Sequence, residues 1–211
     1  MSASGRSHVF WGASSPLAGL SGGALLVMAS ARLAYALLAA GTLLWVYGFS
    51  ALAVHPGALI FPQRGRNLIL VFLSSFIGSV YLLLLWFLSP LMGMEVFFFI
   101  SLVPLFCVGS GLFDRVRSMD IGDSVSRALS EAAVSGLLVI LLSVVREPLG
   151  FFSLSLPGGA QGIVFLFSFQ GGSFLPVRII ASSAGALLLL GYGTGLYHWL
   201  RSVNLPGEEN P

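Results

Sequence analysis

Lysine is absent from this 211-residue sequence, cysteine occurs once, and charge of either sign is scarce. Charged residues make up 9% of the chain, and all ten basic ones are arginine. A water-soluble domain carries about a quarter charged residues, so this chain cannot clothe a hydrated surface. The lone Cys107 excludes an intrachain disulfide and any CxxC-type metal or redox pair. His8, His55 and His198 are scattered, with no HxxxH or His–carboxylate spacing that would make a metal site. The net charge is only +2 and no basic stripe suits nucleic acid. No glycine-rich loop follows a strand to cradle a phosphate; GYGTG (191–195) lies in a helix-like run and reads as close helix packing. The opening MSASGRSHVFWGASSP lacks the uninterrupted apolar core of a cleavable leader and reads as mature sequence.

What fills the space is apolar: 56% of residues are hydrophobic and the mean hydropathy is +0.95. About 20 apolar residues carry a helix across the hydrocarbon core. Five stretches qualify, Ala24–Tyr47, Leu68–Ser89, Met94–Phe113, Ala128–Val145 and Ile179–Leu200, and a sixth, His8–Leu20, is short and broken by Ser14, Ser15 and Pro16. The fold expected is all-α: a polytopic membrane helical bundle of about six segments in one domain spanning 1–211. The glycine- and aromatic-rich stretch 150–174 is expected as a partly inserted loop, because GIVFLFSF is too short to span. In a six-crossing arrangement Arg64, Arg66, Arg115, Arg117, Arg127 and Arg201 share one side, against Arg146 and Arg178 near the opposite surface. That bias places the C-terminus in the cytoplasm.

Two apolar stretches are interrupted by proline and small residues: SPLAGLSGG (15–23) and VPLFCVGSG (103–111). They open the two halves of the chain, roughly 8–90 and 94–200, an arrangement that suits two inverted three-helix repeats. Such paired interruptions point to a transport or cofactor site between repeats; small residues serving close packing is the competing reading.

Few polar side chains fall within the apolar segments. Arg32 either snorkels to the interface or marks a tight loop inside the first long segment. Arg146 and Glu147 follow an uncharged helix and point about 100° apart, which suits a helix end, a subunit contact or an ion path. Glu131 lies one turn into its span as an ion-path candidate, with Arg127 four residues earlier available to pair with it. Glu95 begins its span and reads as interfacial.

The stretch LLVILLSVVREPLGFFSL (137–154) resembles the RnfE/NqrD branch of the Rnf/Nqr-type membrane subunits. In that family the fifth helix ends in an Arg-Glu-(apolar)-Leu-Gly motif. Arg146, Glu147, Leu149 and Gly150 match, and Pro148 replaces the apolar residue. Pro104-Leu105 and Arg115 also fit the family pattern, and SSAGALLLLGYGTGLYHWL resembles its last helix. Where the family carries its two cysteines, this chain has Ser15 and Ser110. The resemblance implies a subunit of an ion-translocating electron-transport complex in the bacterial inner membrane. Its partners would be a homologous membrane subunit and others bearing flavin and a [2Fe–2S] cluster. Four thiolates hold such a cluster, and a serine hydroxyl replaces a thiolate poorly. Cys107 stands three residues before Ser110, offers one thiolate where two are needed, and reads as a small buried hydrophobe. The expectation is therefore no cofactor, no metal and no catalytic residue on this chain, with Arg146, Glu147, Glu131 and Arg115 in an ion path or subunit contact. Two other functions fit the same residues: a small secondary transporter with its site at the broken helices, and a membrane scaffold.

Overall fold

In lipid, a backbone meets its own hydrogen-bonding needs only as a helix or a closed barrel. A computed structural model describes residues 22–23, 25, 27–60, 66–116, 119–159, 162–168 and 178–204. The apolar stretches are helical: α1 (Leu33–Ile60), α2 (Arg66–Leu88), α3 (Pro90–Gly109) and α5 (Ile121–Phe151), with the short α4 (Leu112–Val116) between the last two. A hairpin of β1 (Ser153–Pro157) and β2 (Ile163–Ser168) follows, then the short α6 (Arg178–Ala181) and α7 (Ser183–Asn204). The helices α1, α2, α3 and α5 are long and apolar enough to cross a membrane, whereas the apolar part of α7, Ser183–Gly193, is shorter. Four spans rather than six are thus seen among the described residues, and His8–Leu20 lies outside them.

Three expected boundaries change. Ala24–Tyr47 is not one helix: residues 27–29 are helical, a turn falls at 30–32, and α1 then runs on to Ile60. Arg32 therefore marks a tight loop. Ile179–Leu200 is likewise interrupted, at Ser182. The 103–111 interruption behaves differently, because α3 runs through Pro104 and ends only at Gly109. Its proline is accommodated by Gly78 of α2, where an added Cβ would stand 3.0 Å from the Pro104 ring.

Stretch 150–174 is also more ordered than a loop between residues 153 and 168. Phe152 adopts a left-handed conformation (φ 49°, ψ 33°), and its N–H bonds the Pro148 carbonyl to close α5. The β-branched and aromatic run IVFLFS then pairs antiparallel with SLSLP. Gly159 and Gly162, at φ 63° and 79°, make the reversal that side chains resist. The expected all-α fold is thus a helical bundle carrying one small hairpin.

The packing is inverted relative to a soluble protein. Phe72, Phe76, Leu83 and Phe87 on α2 point outward, and Phe87 is 87% exposed. Inside, α1 packs on α5, and buried Ala40 of α1 faces buried Gly136 of α5. With apolar lipid outside, helices gain by approaching closely, and small residues allow it. A Cβ on Gly136 would sit 2.9 Å from the Ala40 Cβ. Gly136→Val is expected to force the pair apart and cost about 1–3 kcal/mol, read as a lower melting temperature of the purified protein in detergent. GYGTG does not follow this rule: a Cβ at Gly191, Gly193 or Gly195 would meet nothing within 4 Å. The close packing expected there is not found among the described residues.

Candidate functional site

Both chain breaks lead to the same place. A helix ends with carbonyls that lack intrahelical donors, and the chain ends one helical segment near residue 29 and another, α6, at Ala181. Arg146 serves both. Its Nη1 donates to the Val27 carbonyl at 2.6 Å and the Ser30 hydroxyl at 2.9 Å. Nε donates to Ile180 O at 3.0 Å, and Nη2 donates to Ala181 O and Ser182 O at 2.7 and 3.0 Å. A guanidinium presents five N–H groups in a planar fork, and its charge complements the negative ends of both helical segments. Arg146 is buried within the protein, 2% exposed.

Glu147 turns the other way, to the start of α1. Its Oε2 accepts from the Leu33 N–H at 2.6 Å, and Ser155 of β1 accepts from Ala34 N–H at 3.4 Å. Both are buried acceptors at the positive end of a helix. Adjacent residues on α5 thus stabilise opposite helix ends: the cation holds two C-termini and the anion one N-terminus. Gly150 completes the junction by letting α5 approach α6, since its Cβ would lie 2.9 Å from the Ala181 Cβ. Two buried side-chain atoms nearby, Glu147 Oε1 and Ser143 Oγ, have no hydrogen-bond partner among the described residues.

At the opposite end of α5, Glu131 pairs with Arg127 (3.6 Å) as the four-residue spacing predicts. Glu131 lines a cavity of about 320 Å³ with Tyr47, Phe106, Ser110, Ser130 and Ser135. Ser110 donates to the Cys107 carbonyl at 2.8 Å and accepts from the Tyr47 hydroxyl at 3.2 Å. Cys107 itself is fully buried in the apolar core. Glu95 is exposed and accepts from Tyr35 OH at 2.9 Å. Arg32 stands among the rings of Tyr35, Phe151 and Phe165, 5.6–6.0 Å from their centroids. Among the described residues no group of three His, Cys, Asp or Glu side chains converges as a metal site. Ser15 lies outside the described residues, and of Arg115 only the backbone, in α4, is described.

The structure therefore joins Arg146 and Glu147 in one buried junction and leaves Glu131 with Ser110 in a separate cavity. The break at 182 is the feature of this junction that reading the sequence missed, whereas the one at 30–32 was one of the two alternatives for Arg32. Their signals were present: Ser-Ala-Arg inside an apolar run, and Ser182 placed three residues before Gly185, whose N–H its hydroxyl accepts as a helix cap.

Compared with known proteins, the chain matches no family model, no curated protein and no solved structure.

Proposed function

We propose that this chain is an integral membrane subunit of an Rnf/Nqr-like, ion-translocating electron-transport complex, contributing part of the ion path. The observation carrying the reading is the buried Arg146–Glu147 junction between two interrupted helical segments, one in each half of the chain. Ionisable residues at membrane depth are costly and belong as a rule to transport paths. Discontinuous helices whose ends face a common centre are the usual way membrane proteins build an ion site. The motif that carries the resemblance, Arg146-Glu147 followed by Leu149-Gly150, supplies three residues of that junction. In this reading the chain's breaks belong to inverted repeats, the cluster and flavin sit in partner subunits, and the protein occupies the bacterial inner membrane with its C-terminus in the cytoplasm.

A second reading, a secondary transporter acting alone, draws on the same junction, because both breaks converge on one side chain. Purification from native membranes through a C-terminal tag separates them. Flavoprotein and iron–sulfur subunits should co-purify with the chain. A chain that purifies alone and drives solute uptake in proteoliposomes would reject the complex in favour of the transporter.

A further inference from the structure

Two charged side chains stand outside the Arg146–Glu147 junction but at the same end of the bundle. Arg32 precedes α1, and Glu95 lies in the second turn of α3. The Tyr35 hydroxyl, near the start of α1, donates to Glu95 Oε2 at 2.9 Å and so ties the two helix starts together. On the other side of that tyrosine, the Arg32 guanidinium is 6.0 Å from the ring centroid, with Phe151 and Phe165 at 5.9 and 5.6 Å. Ring faces attract the cation, but among the described residues no oxygen accepts from its five N–H groups, and no ion pair joins it to Glu95. Arg146 and Glu147 are already engaged with helix ends. One cation and one anion are left, held apart by a single aromatic ring.

Their setting is the edge of the membrane-spanning layer, where α1 and α3 begin and α5 ends. Leu91 and Phe98, four and three residues from Glu95, share its helix face and are both 60% exposed. A Cβ on Gly162 in the hairpin turn would lie 3.9 Å from Leu91 Cβ, so the hairpin with its exposed Phe165 borders the same surface. An apolar surface topped by separated opposite charges complements a phospholipid whose headgroup carries both. An anionic headgroup would satisfy Arg32 and set its own charge against Glu95. A choline headgroup has no N–H to give a carboxylate; its cation is recognised by ring faces, and the rings here surround Arg32. A primary ammonium donates charge-assisted hydrogen bonds to a carboxylate and to the free lone pairs of a tyrosine hydroxyl.

We propose that Arg32, Tyr35 and Glu95 form a binding site for a phosphatidylethanolamine headgroup, Arg32 holding the phosphate and Glu95 with Tyr35 the ammonium. The lipid tails lie along Leu91 and Phe98. The site goes beyond the ion-path reading and stands without it.

Native mass spectrometry of the full chain in detergent, titrated separately with phosphatidylethanolamine, phosphatidylcholine and phosphatidylglycerol of identical tails, tests the site. The wild-type chain should hold its first phosphatidylethanolamine about tenfold more tightly than either of the others, the worth of one charge-assisted hydrogen bond. E95Q keeps an oxygen for the Tyr35 hydroxyl and should erase the preference over phosphatidylcholine, whereas R32Q should weaken the first bound copy of all three. Melting curves without lipid check that both variants are folded. Glycerophosphoethanolamine, the same headgroup without tails, should leave the melting temperature of the wild-type chain unchanged. Equal retention of the three lipids by the wild-type chain, or tighter phosphatidylglycerol, overturns the site without recourse to a variant. A folded E95Q that keeps the preference overturns the role of Glu95, and a folded R32Q that binds like wild type overturns that of Arg32. Stabilisation by the tail-free headgroup equal to that by the lipid overturns a membrane lipid as the ligand.

Discussion

Arg146→Met should lower the melting temperature of the detergent-purified protein by about 10 °C. The methionine fills part of the volume but donates nothing, so four carbonyls and the Ser30 hydroxyl lose their donor. Removing one partner of a buried charged network costs about 3–5 kcal/mol, and in a protein of this size each kcal/mol moves the midpoint by about 2–4 °C. Arg146→Lys should recover a minor part, because an ammonium offers three donors from a single point where the guanidinium offers five in a plane. A melting temperature equal to wild type in Arg146→Met would show that the carbonyls find water instead, and the clamp would lose its meaning.

Gly185→Ala should be comparably damaging although it adds one methyl group. The new Cβ would overlap the Ile179 carbonyl oxygen and stand 2.5 Å from Ile180 Cα. Both obstacles are backbone, which cannot rotate away as a side chain can. The chain must instead open the sharp turn at Ser182, whose hydroxyl donates to Ile179 O at 2.6 Å and accepts from Gly185 N–H at 3.3 Å. Overpacking costs about 1–3 kcal/mol, and here it also displaces the carbonyls of 180–182 from Arg146. The two substitutions strike one junction, so the double variant Arg146→Met/Gly185→Ala should lose less than the sum of the single losses. Additive losses in the melting series would separate the turn from the clamp.

Much of this was legible in the sequence because lipid simplifies the problem. A run of some 20 apolar residues has one stable outcome, so α2 and α3 stand close to where composition puts them. The pairing of Arg127 with Glu131 follows from helical spacing alone. The break at 182 was not legible, and the one at 30–32 only as one of two alternatives for Arg32, for the opposite reason. A turn inside an apolar run differs from a helix by only a few backbone angles, and what stabilises the turn at 30–32 lies on α5. Proline misled at 104, since Gly78 on a different helix accommodates its ring. The adjacency of Arg146 and Glu147 showed that they diverge, but not that each reaches the end of a different helical segment. The hairpin was hidden because IVFLFS is apolar at every position and carries no alternation to distinguish strand from membrane-associated loop.

One consequence concerns biogenesis. The group that caps α1 is 114 residues further along, and the side chain that seals residue 27 is 119 residues away. At about 5–20 residues per second of synthesis, α1 waits on the order of ten seconds before Glu147 exists, and longer before the turn at 182 leaves the ribosome. During that interval the first helix is threaded into the bilayer with bare amide groups at its start. The start of α1 gains its acceptor only once α5 has been made, so translation of the second half completes the first.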